Sequence, residues 1–189
     1  MILEGDNDMN EREMTTVPTV QFKVRVVDEY GTPNACELKA HSWGSISTDE
    51  IFNGKKVVVF SLPGAFTPTC STFQLPGFEA EAQKFYDRGI DDIYCISVND
   101  SFVMNAWRDA NNLSNVKVLP DGNGKFTEEM GMLIDMSGVG FNMRSRRYAM
   151  IVDDGVIVKM FVEPLATPED GDPYGETTPE NILEFLGDK

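Results

Sequence analysis

Residues 57–71 read VVVFSLPGAFTPTCS, and their one cysteine, Cys70, follows an apolar segment. The first part of the stretch is short, apolar and rich in β-branched residues, which predicts a strand buried on both faces, and Pro63-Gly64 ends it. Apolar residues then recur at roughly helical spacing, at Phe73, Phe78, Ala82 and Phe85. Thr67 or Thr69 is the expected N-cap of this helix. Unpaired backbone N–H groups at a helix start favour an anion, so the stretch predicts a reactive thiolate at Cys70.

Three residues of this stretch have the spacing of a known motif. Pro63, Thr67 and Cys70 resemble the Pro-x-x-x-Thr-x-x-Cys motif of peroxiredoxins, and the string over residues 63–71 resembles the type II, peroxiredoxin-5-like branch. Other segments resemble the same branch: residues 95–107, 119–124 and 147–155. The resemblance covers most of the chain from about Val20 onward, and it implies a peroxiredoxin without a fused glutaredoxin domain.

This resemblance implies an antioxidant thiol peroxidase that reduces hydrogen peroxide and small organic hydroperoxides through a cysteine sulfenic acid. It makes Cys70 the nucleophile, places the Thr67 hydroxyl in the catalytic site, and gives Pro63 the role of shielding the thiolate. It implies that the enzyme uses no metal or organic cofactor and forms a homodimer. Glutathione, glutaredoxin or thioredoxin is the expected reductant.

Ionisation of the thiol accounts for only a small part of the rate enhancement that such an enzyme needs. A free thiol with a pKa of ~8.5 is already a few per cent thiolate at neutral pH, so complete ionisation accelerates attack by about thirtyfold at most. Enzymes typically supply about 10⁶-fold or more. The site must therefore also stabilise charge on the departing oxygen, and the candidates are the Thr67 hydroxyl, the backbone N–H of Cys70 and a fixed cation.

Three arginines compete for the role of that cation: Arg144, Arg146 and Arg147. Strand alternation puts Arg146 and Arg147 on opposite faces, but it does not say which face meets Cys70. In peroxiredoxins the active-site arginine immediately precedes the aromatic residue that matches Tyr148, so the resemblance selects Arg147. Arg144 and Arg146 are then expected to be mainly solvated surface charge.

Cys95 is open to two interpretations. It lies in an apolar segment that predicts a buried strand, which favours an inert thiol. It also follows Cys70 by 25 positions, a spacing that resembles plant-type members in which the second cysteine can resolve the first. A helix start and a strand interior would both have to open before they reached disulfide distance. We therefore expect an external thiol to regenerate Cys70, and Cys36 to be a bystander.

Gln74 is a departure from the family pattern. Many peroxiredoxins carry histidine-leucine-proline-glycine where this chain has Gln74-Leu75-Pro76-Gly77. Because that histidine is neither the nucleophile nor the active-site cation, the substitution is expected to tune activity rather than abolish it.

The composition argues against several other classes of protein. A net charge of −15 argues against nucleic acid and anionic membrane partners. His41 is the only histidine, which argues against histidine-based metal sites and catalytic triads. Residues 1–16 are polar and acidic and predict a flexible tail, with one domain over residues 17–189. Three cysteines without a secretory signal favour a reducing cytoplasm.

The order of the predicted elements indicates an α/β fold. Strands alternate with helices, and the last of these helices is predicted near residues 126–133. A hairpin that turns at Asp153-Asp154-Gly155 and a final helix capped by Thr178 follow. Residues 163–177 are acidic and rich in Pro and Gly, which predicts a surface loop. The pattern alone supports a mixed sheet flanked by helices, and the resemblance implies the thioredoxin-like fold.

Two other functions fit the same fold. One is a non-catalytic thiol redox sensor or holdase-like binding protein that passes its oxidation to a partner. The other is an inert thioredoxin-like interaction domain. The intact motif together with Arg147 favours the enzyme, and turnover in excess reductant distinguishes it from both alternatives.

Overall fold

A computed structural model of the protein describes residues 16–25, 43–166 and 171–187. Cys36, His41 and nearly all of the predicted tail lie outside these residues, so the division into a tail and one domain stays a prediction. Thr16 forms an isolated β-bridge with Val156.

The described residues form the following strands and helices in chain order. The strands are β1 (Gln21–Arg25), β2 (Trp43–Ser47), β3 (Lys56–Ser61), β4 (Asp92–Ser97), β5 (Val116–Pro120), β6 (Leu133–Asp135), β7 (Met143–Ser145), β8 (Tyr148–Asp153) and β9 (Val156–Val162). The α-helices are α1 (Thr48–Phe52), α2 (Leu75–Asp87), α3 (Ser101–Ala110), α4 (Lys125–Glu129) and α5 (Pro179–Leu186). A π-helical turn, Cys70–Gln74, leads into α2.

The central sheet has the strand order β5-β4-β3-β8-β9. The first three of these strands are parallel, whereas β8 runs antiparallel to β3 and β9 runs antiparallel to β8. This is the mixed sheet flanked by helices that the sequence predicts, and the fold is thioredoxin-like. Ser61 of β3 pairs with Tyr148 of β8, so the chain that leaves β3 and the residue that precedes β8 meet at one end of the sheet.

Two buried clusters cover the two faces of the sheet. The first contains Cys70 and packs the sheet against α2, α3 and α5. The second packs the other face against β1, α1 and α4. Because successive side chains of a strand point to opposite faces, Ala149 and Ile151 belong to the first cluster and Tyr148 and Met150 to the second. The face that meets Cys70 is therefore the face of Ala149.

Two short-range predictions about turns and caps are confirmed. The β8–β9 hairpin turns at Asp154 and Gly155, whose φ angles are 49° and 78°. Consecutive positive φ angles are what a tight Asp-Gly hairpin turn requires. The Thr178 side chain caps α5 by accepting a hydrogen bond from the Asn181 N–H.

The helix predicted near residues 126–133 extends beyond the end of the observed helix α4. The helix ends at Glu129, and Gly131 adopts a left-handed φ of 68° that continues no helix. The chain then forms β6, which pairs antiparallel with β7. This hairpin was not predicted, because each of its strands has only three residues and neither shows a clear alternation.

Not all of the apolar residues that predict the helix after Cys70 are buried. Phe78 and Phe85 are fully buried, but Phe73 is 59% exposed. Phe73 lies in the π-helical turn five residues before Phe78, and a helix of 3.6 residues per turn places such residues on different faces. The buried side chains of the π-helical turn are those of Cys70 and Gln74.

Phe78→Ala should destabilise the fold strongly, because the Phe78 ring is fully buried and stacks on Phe60 with 4.0 Å between ring centroids. We expect the free energy of unfolding, measured by urea denaturation, to fall by about 3–5 kcal/mol. Phe73→Ala is the matched control, since it removes the same side chain from an exposed position and should cost less than about 0.5 kcal/mol. Equal losses in the two variants would contradict the assignment of the buried face.

Candidate active site

Cys70 begins the π-helical turn, and its side chain is fully buried. The Leu75 N–H closes this turn by donating to the Cys70 carbonyl, five residues earlier. The Ser71 N–H donates to the Thr67 carbonyl at 3.0 Å, so Cys70 lies in the first turn of helical backbone, as predicted. Single π-helical turns of this kind are frequent at functional sites.

Neither threonine caps this helix with its side chain, so the predicted capping bond is wrong. The Thr67 hydroxyl donates instead to the Gly64 carbonyl at 2.7 Å. Thr69 makes no capping bond, because its own backbone is already helical, with φ −61° and ψ −39°. The Thr67 oxygen keeps its lone pairs for a hydrogen bond from another donor.

The segment around Cys70 is strained at Phe66 and is anchored on both sides of Cys70 by hydrogen bonds. Phe66 has a φ of 64°, which is unfavourable for a bulky residue, and its side chain is 56% exposed. The Ala65 N–H donates to Asn99 Oδ1 at 3.0 Å, and the Trp107 indole N–H donates to the Ser71 hydroxyl at 3.0 Å. Both anchors come from the chain that follows β4.

Of the three candidate arginines, Arg147 is the one that the structure brings into contact with Cys70. Arg147 Nη1 lies 3.4 Å from Cys70 Sγ and 2.5 Å from Gln74 Oε1. Arg147 Nη2 lies 2.5 Å from Asp172 Oδ2, and the guanidinium lies 5.9 Å from the centroid of the Tyr174 ring. The Arg147 side chain is only 2% exposed.

The environment of Arg147 keeps its guanidinium charged. Burial by itself would lower the pKa of Arg147, but the negative charges of Cys70 and Asp172 outweigh burial and raise it. A guanidinium presents several N–H groups in a rigid fork, so one side chain serves the sulfur, an amide oxygen and a carboxylate together.

The prediction that Arg144 and Arg146 are solvated surface charge is wrong. Arg144 donates to the carbonyls of Phe141 at 2.9 Å and Val98 at 2.8 Å. Arg146 donates to the Glu163 carbonyl at 2.9 Å. Both side chains are partly buried. Arg144 lies in β7 of the unpredicted β6–β7 hairpin and Arg146 directly follows it, and both contact backbone segments around the site. Their role is to hold main chain in place.

The segment from Glu163 to Thr177 is not simply the surface loop that its composition predicts. The Glu163 side chain is 3% exposed and Thr177 is fully buried. Glu163 Oε1 accepts hydrogen bonds from the Gly175 N–H, the Thr177 N–H and the Thr177 hydroxyl at 2.8–2.9 Å. Burial by itself would raise the pKa of Glu163, but these hydrogen bonds outweigh burial and lower it. No local sequence signal marks a buried carboxylate in an acidic, Pro/Gly-rich segment.

Cys95 occupies the interior of the sheet, where β4 pairs with a neighbour on each side. Its partners in register are Phe60 of β3 and Val118 of β5, and its side chain is fully buried. Burial raises the pKa of the Cys95 thiol well above its ordinary value, the Cys70 charge adds to this effect, and Arg147 opposes it. Cys70 and Cys95 are both free thiols in the structure.

The described residues form neither a metal-binding cluster nor a membrane-spanning helix. Across residues 16–25, 43–166 and 171–187, no group of histidine, cysteine or acidic side chains is arranged to hold a metal ion. None of the helices in the part of the chain that the structure describes is long and apolar enough to cross a membrane. The Asp121 carboxylate accepts hydrogen bonds from the N–H groups of Phe126 and Thr127 and so fixes the start of α4.

Comparisons with known proteins identify relatives of this chain. The sequence model of the Redoxin family matches residues 17–175. The chain is similar to a peroxiredoxin of Rhizobium etli, with 51% identity over 176 residues that cover 90% of this chain and 93% of the relative. It is similar to the hybrid peroxiredoxin hyPrx5 of Haemophilus influenzae, with 44% identity over 178 residues that cover 94% of this chain and 67% of the relative. Among solved structures it is similar to reduced Prx3 from Vibrio vulnificus in complex with hydrogen peroxide, with a TM-score of 0.74, 35% identity, and coverage of 98% of this chain and 99% of that chain.

Arg147→Gln should slow the alkylation of Cys70 by iodoacetamide at neutral pH, because it removes the guanidinium N–H that lies 3.4 Å from the Cys70 sulfur. We expect the rate for the Cys70 peptide, followed by mass spectrometry, to fall by about tenfold. Arg144→Gln is the matched control, since Arg144 donates to backbone carbonyls and not to sulfur. Cys95 is an internal reference, because its raised pKa should leave it unmodified while Cys70 reacts. Equal slowing in both arginine variants would show that Arg147 is not the cation.

Proposed function

Because the chain belongs to the peroxiredoxin family, whose members are thiol peroxidases, we propose that it reduces hydrogen peroxide and small organic hydroperoxides at Cys70. The observation that carries this proposal is the 3.4 Å contact between Arg147 Nη1 and Cys70 Sγ. A buried guanidinium stabilises both a thiolate and the charge that develops on a departing oxygen. The similarity to Prx3 in complex with hydrogen peroxide supports the choice of substrate. The similarity to hyPrx5 agrees with the peroxiredoxin-5-like branch that the sequence indicates.

The proposed reaction begins with attack by the Cys70 thiolate on the terminal oxygen of the peroxide. A bond forms between Sγ and that oxygen, the O–O bond breaks, and the electron pair leaves with the other oxygen. The departing oxygen takes up the proton that the thiol released on ionisation. The products are a sulfenic acid at Cys70 and water or an alcohol, so the sulfur loses two electrons and the peroxide gains two.

Thr67 and Pro63 complete the proposed site. The Thr67 hydroxyl donates its proton to the Gly64 carbonyl, so its oxygen accepts a hydrogen bond from the peroxide O–H and orients the oxygen under attack. Pro63 is buried two residues after the end of β3 and has no N–H to bind water, which suits the role of shielding the thiolate.

An external thiol regenerates Cys70 in this proposal. The thiol attacks the sulfenic sulfur, forms a mixed disulfide and releases water, and a second thiol then attacks the disulfide and returns Cys70 to its reduced state. Cys95 is poorly suited to the first step, because the raised pKa of its buried thiol leaves little thiolate at neutral pH.

The expected reductants and assembly follow from the same chemistry and from the resemblance. Glutathione, glutaredoxin and thioredoxin are the candidate reductants, and a reducing compartment such as the cytoplasm supplies them. The proposal includes a homodimer, which the family resemblance implies.

Cys70→Ser should abolish peroxide consumption, because a serine hydroxyl is not ionised at neutral pH and offers no comparable nucleophile. The measurement is steady-state consumption of hydrogen peroxide with excess glutathione and glutaredoxin, and separately with thioredoxin. Turnover by the serine variant would contradict the proposed mechanism. A wild-type protein that consumes one equivalent of peroxide and then stops in every reductant would instead support the non-catalytic redox sensor.

Cys95→Ser should retain most of the wild-type turnover, because an external thiol reaches the Cys70 sulfenic acid without it. The same peroxide assay measures this. If Cys95 resolved Cys70, the variant would stall after one turnover, and peroxide-treated wild type would contain a Cys70–Cys95 disulfide visible by peptide mass spectrometry. That pair of results would overturn the external route and leave Cys70 as the site of peroxide reduction.

A further inference from the structure

A chain of hydrogen bonds runs from Arg147 Nη1, the nitrogen that also contacts Cys70, into the loop that precedes α5. Arg147 Nη1 donates to Gln74 Oε1 at 2.5 Å, and Gln74 Nε2 donates to Thr177 Oγ1 at 3.4 Å. The Thr177 hydroxyl donates in turn to Glu163 Oε1 at 2.9 Å. The side chains of Gln74, Thr177 and Glu163, called the Gln74 relay below, are all buried, so water does not compete for these bonds.

The two ends of the Gln74 relay fix the direction of every bond within it. The Arg147 guanidinium can only donate, so the amide oxygen of Gln74 must face it. The ionised Glu163 carboxylate can only accept, so the Thr177 hydroxyl must donate to it and accept from the Gln74 amide. Burial would raise the pKa of Glu163, but its hydrogen bonds lower it and keep this end charged. One orientation of the Gln74 amide is therefore selected.

Glu163 also joins the Gln74 relay to the main chain of Arg147. The Glu163 N–H donates to the Arg147 carbonyl at 3.1 Å, immediately after β9 and immediately before β8. The Glu163 carboxylate accepts from the N–H groups of Gly175 and Thr177 at 2.8 Å each. One buried residue thus fixes both the backbone of Arg147 and the loop that supplies Thr177.

We propose that the Gln74 relay positions the Arg147 guanidinium against the Cys70 sulfur. This inference rests on the proposed function, in which Arg147 stabilises the thiolate and the departing oxygen. Without the relay, Nη1 loses its amide acceptor, and the 42% exposed carboxylate of Asp172 draws the guanidinium toward solvent and away from sulfur. The relay is a feature of this chain, because Gln74 stands where many peroxiredoxins carry histidine. Glutamine does not titrate, so it offers oxygen to Arg147 at every pH.

Gln74→Met and Thr177→Val test the relay, since each approximately keeps the side-chain volume and removes hydrogen bonds. We expect kcat/KM for hydrogen peroxide to fall by about 10-fold to 100-fold in Gln74→Met and by about 3-fold to 10-fold in Thr177→Val. The pH midpoint for alkylation of Cys70 should rise in both variants, because a misplaced guanidinium stabilises the thiolate less. Thr127→Val is the matched control, since it removes a buried threonine hydroxyl that donates to Asp121 at 2.7 Å on the other face of the sheet. It should leave both readouts unchanged.

Two results would contradict the proposal that the Gln74 relay positions Arg147. One is kcat/KM within about twofold of wild type and an unmoved alkylation midpoint in both relay variants. The other is an equal change in both readouts in Thr127→Val, which would point to a general loss of packing. Failure of the proposed function is a separate result, because wild type itself would then not turn over peroxide. The alkylation midpoint would still test the relay in that case, since it requires no peroxidase activity.

Discussion

The contact between the Arg147 guanidinium and the Cys70 sulfur is the interaction on which the site depends. An arginine side chain that is 2% exposed is costly unless acceptors surround it. The acceptors are Cys70 Sγ, Gln74 Oε1 and Asp172 Oδ2. The Cys70 sulfur therefore shares one buried guanidinium with an amide oxygen and a carboxylate. Because Cys70 and Arg147 are 77 positions apart in the sequence, the fold must hold together the two elements that carry them.

The sheet supplies that constraint through its register. Ser61 of β3 pairs with Tyr148 of β8, which fixes the distance between the chain that leads to Cys70 and the residue before β8. Cys95 belongs to the same buried cluster as Cys70 but has a different chemical environment. The contact with Arg147 is therefore specific to Cys70 and is not a general property of the cluster. Burial raises the pKa of the Cys95 thiol, whereas Cys70 has a guanidinium N–H 3.4 Å from its sulfur. Burial alone makes a cysteine inert, and burial beside a fixed cation prepares it to react.

Features of the site that depend on neighbouring residues could be predicted from the sequence. The strand that ends before Pro63, the helical turn at Cys70 and the Asp154-Gly155 hairpin each follow from short-range rules. The exposure of Phe73 did not follow from its apolar side chain, because a spacing of five residues from Phe78 places it on a different face of the helix. No short-range rule predicts the π-helical turn.

Features that depend on distant residues could not be predicted in the same way. Strand alternation predicts that Arg146 and Arg147 lie on opposite faces of the sheet. Only the packing of α2 against the sheet shows which of these faces contacts Cys70. The contact between Gln74 and Thr177 joins residues 103 positions apart, and no local pattern specifies it. Buried polar residues such as Glu163 were missed for a related reason. Composition predicts exposure for a carboxylate, and only its hydrogen-bond partners make burial possible.

The most direct test of this account is to treat the reduced protein with one equivalent of hydrogen peroxide in the presence of dimedone, and to map the adduct by peptide mass spectrometry. Dimedone traps sulfenic acids, the first product of thiolate attack on a peroxide. The account predicts near-stoichiometric labelling of Cys70, with Cys36 and Cys95 unlabelled. Preferential labelling of another cysteine, or oxidation without any adduct at Cys70, would contradict it.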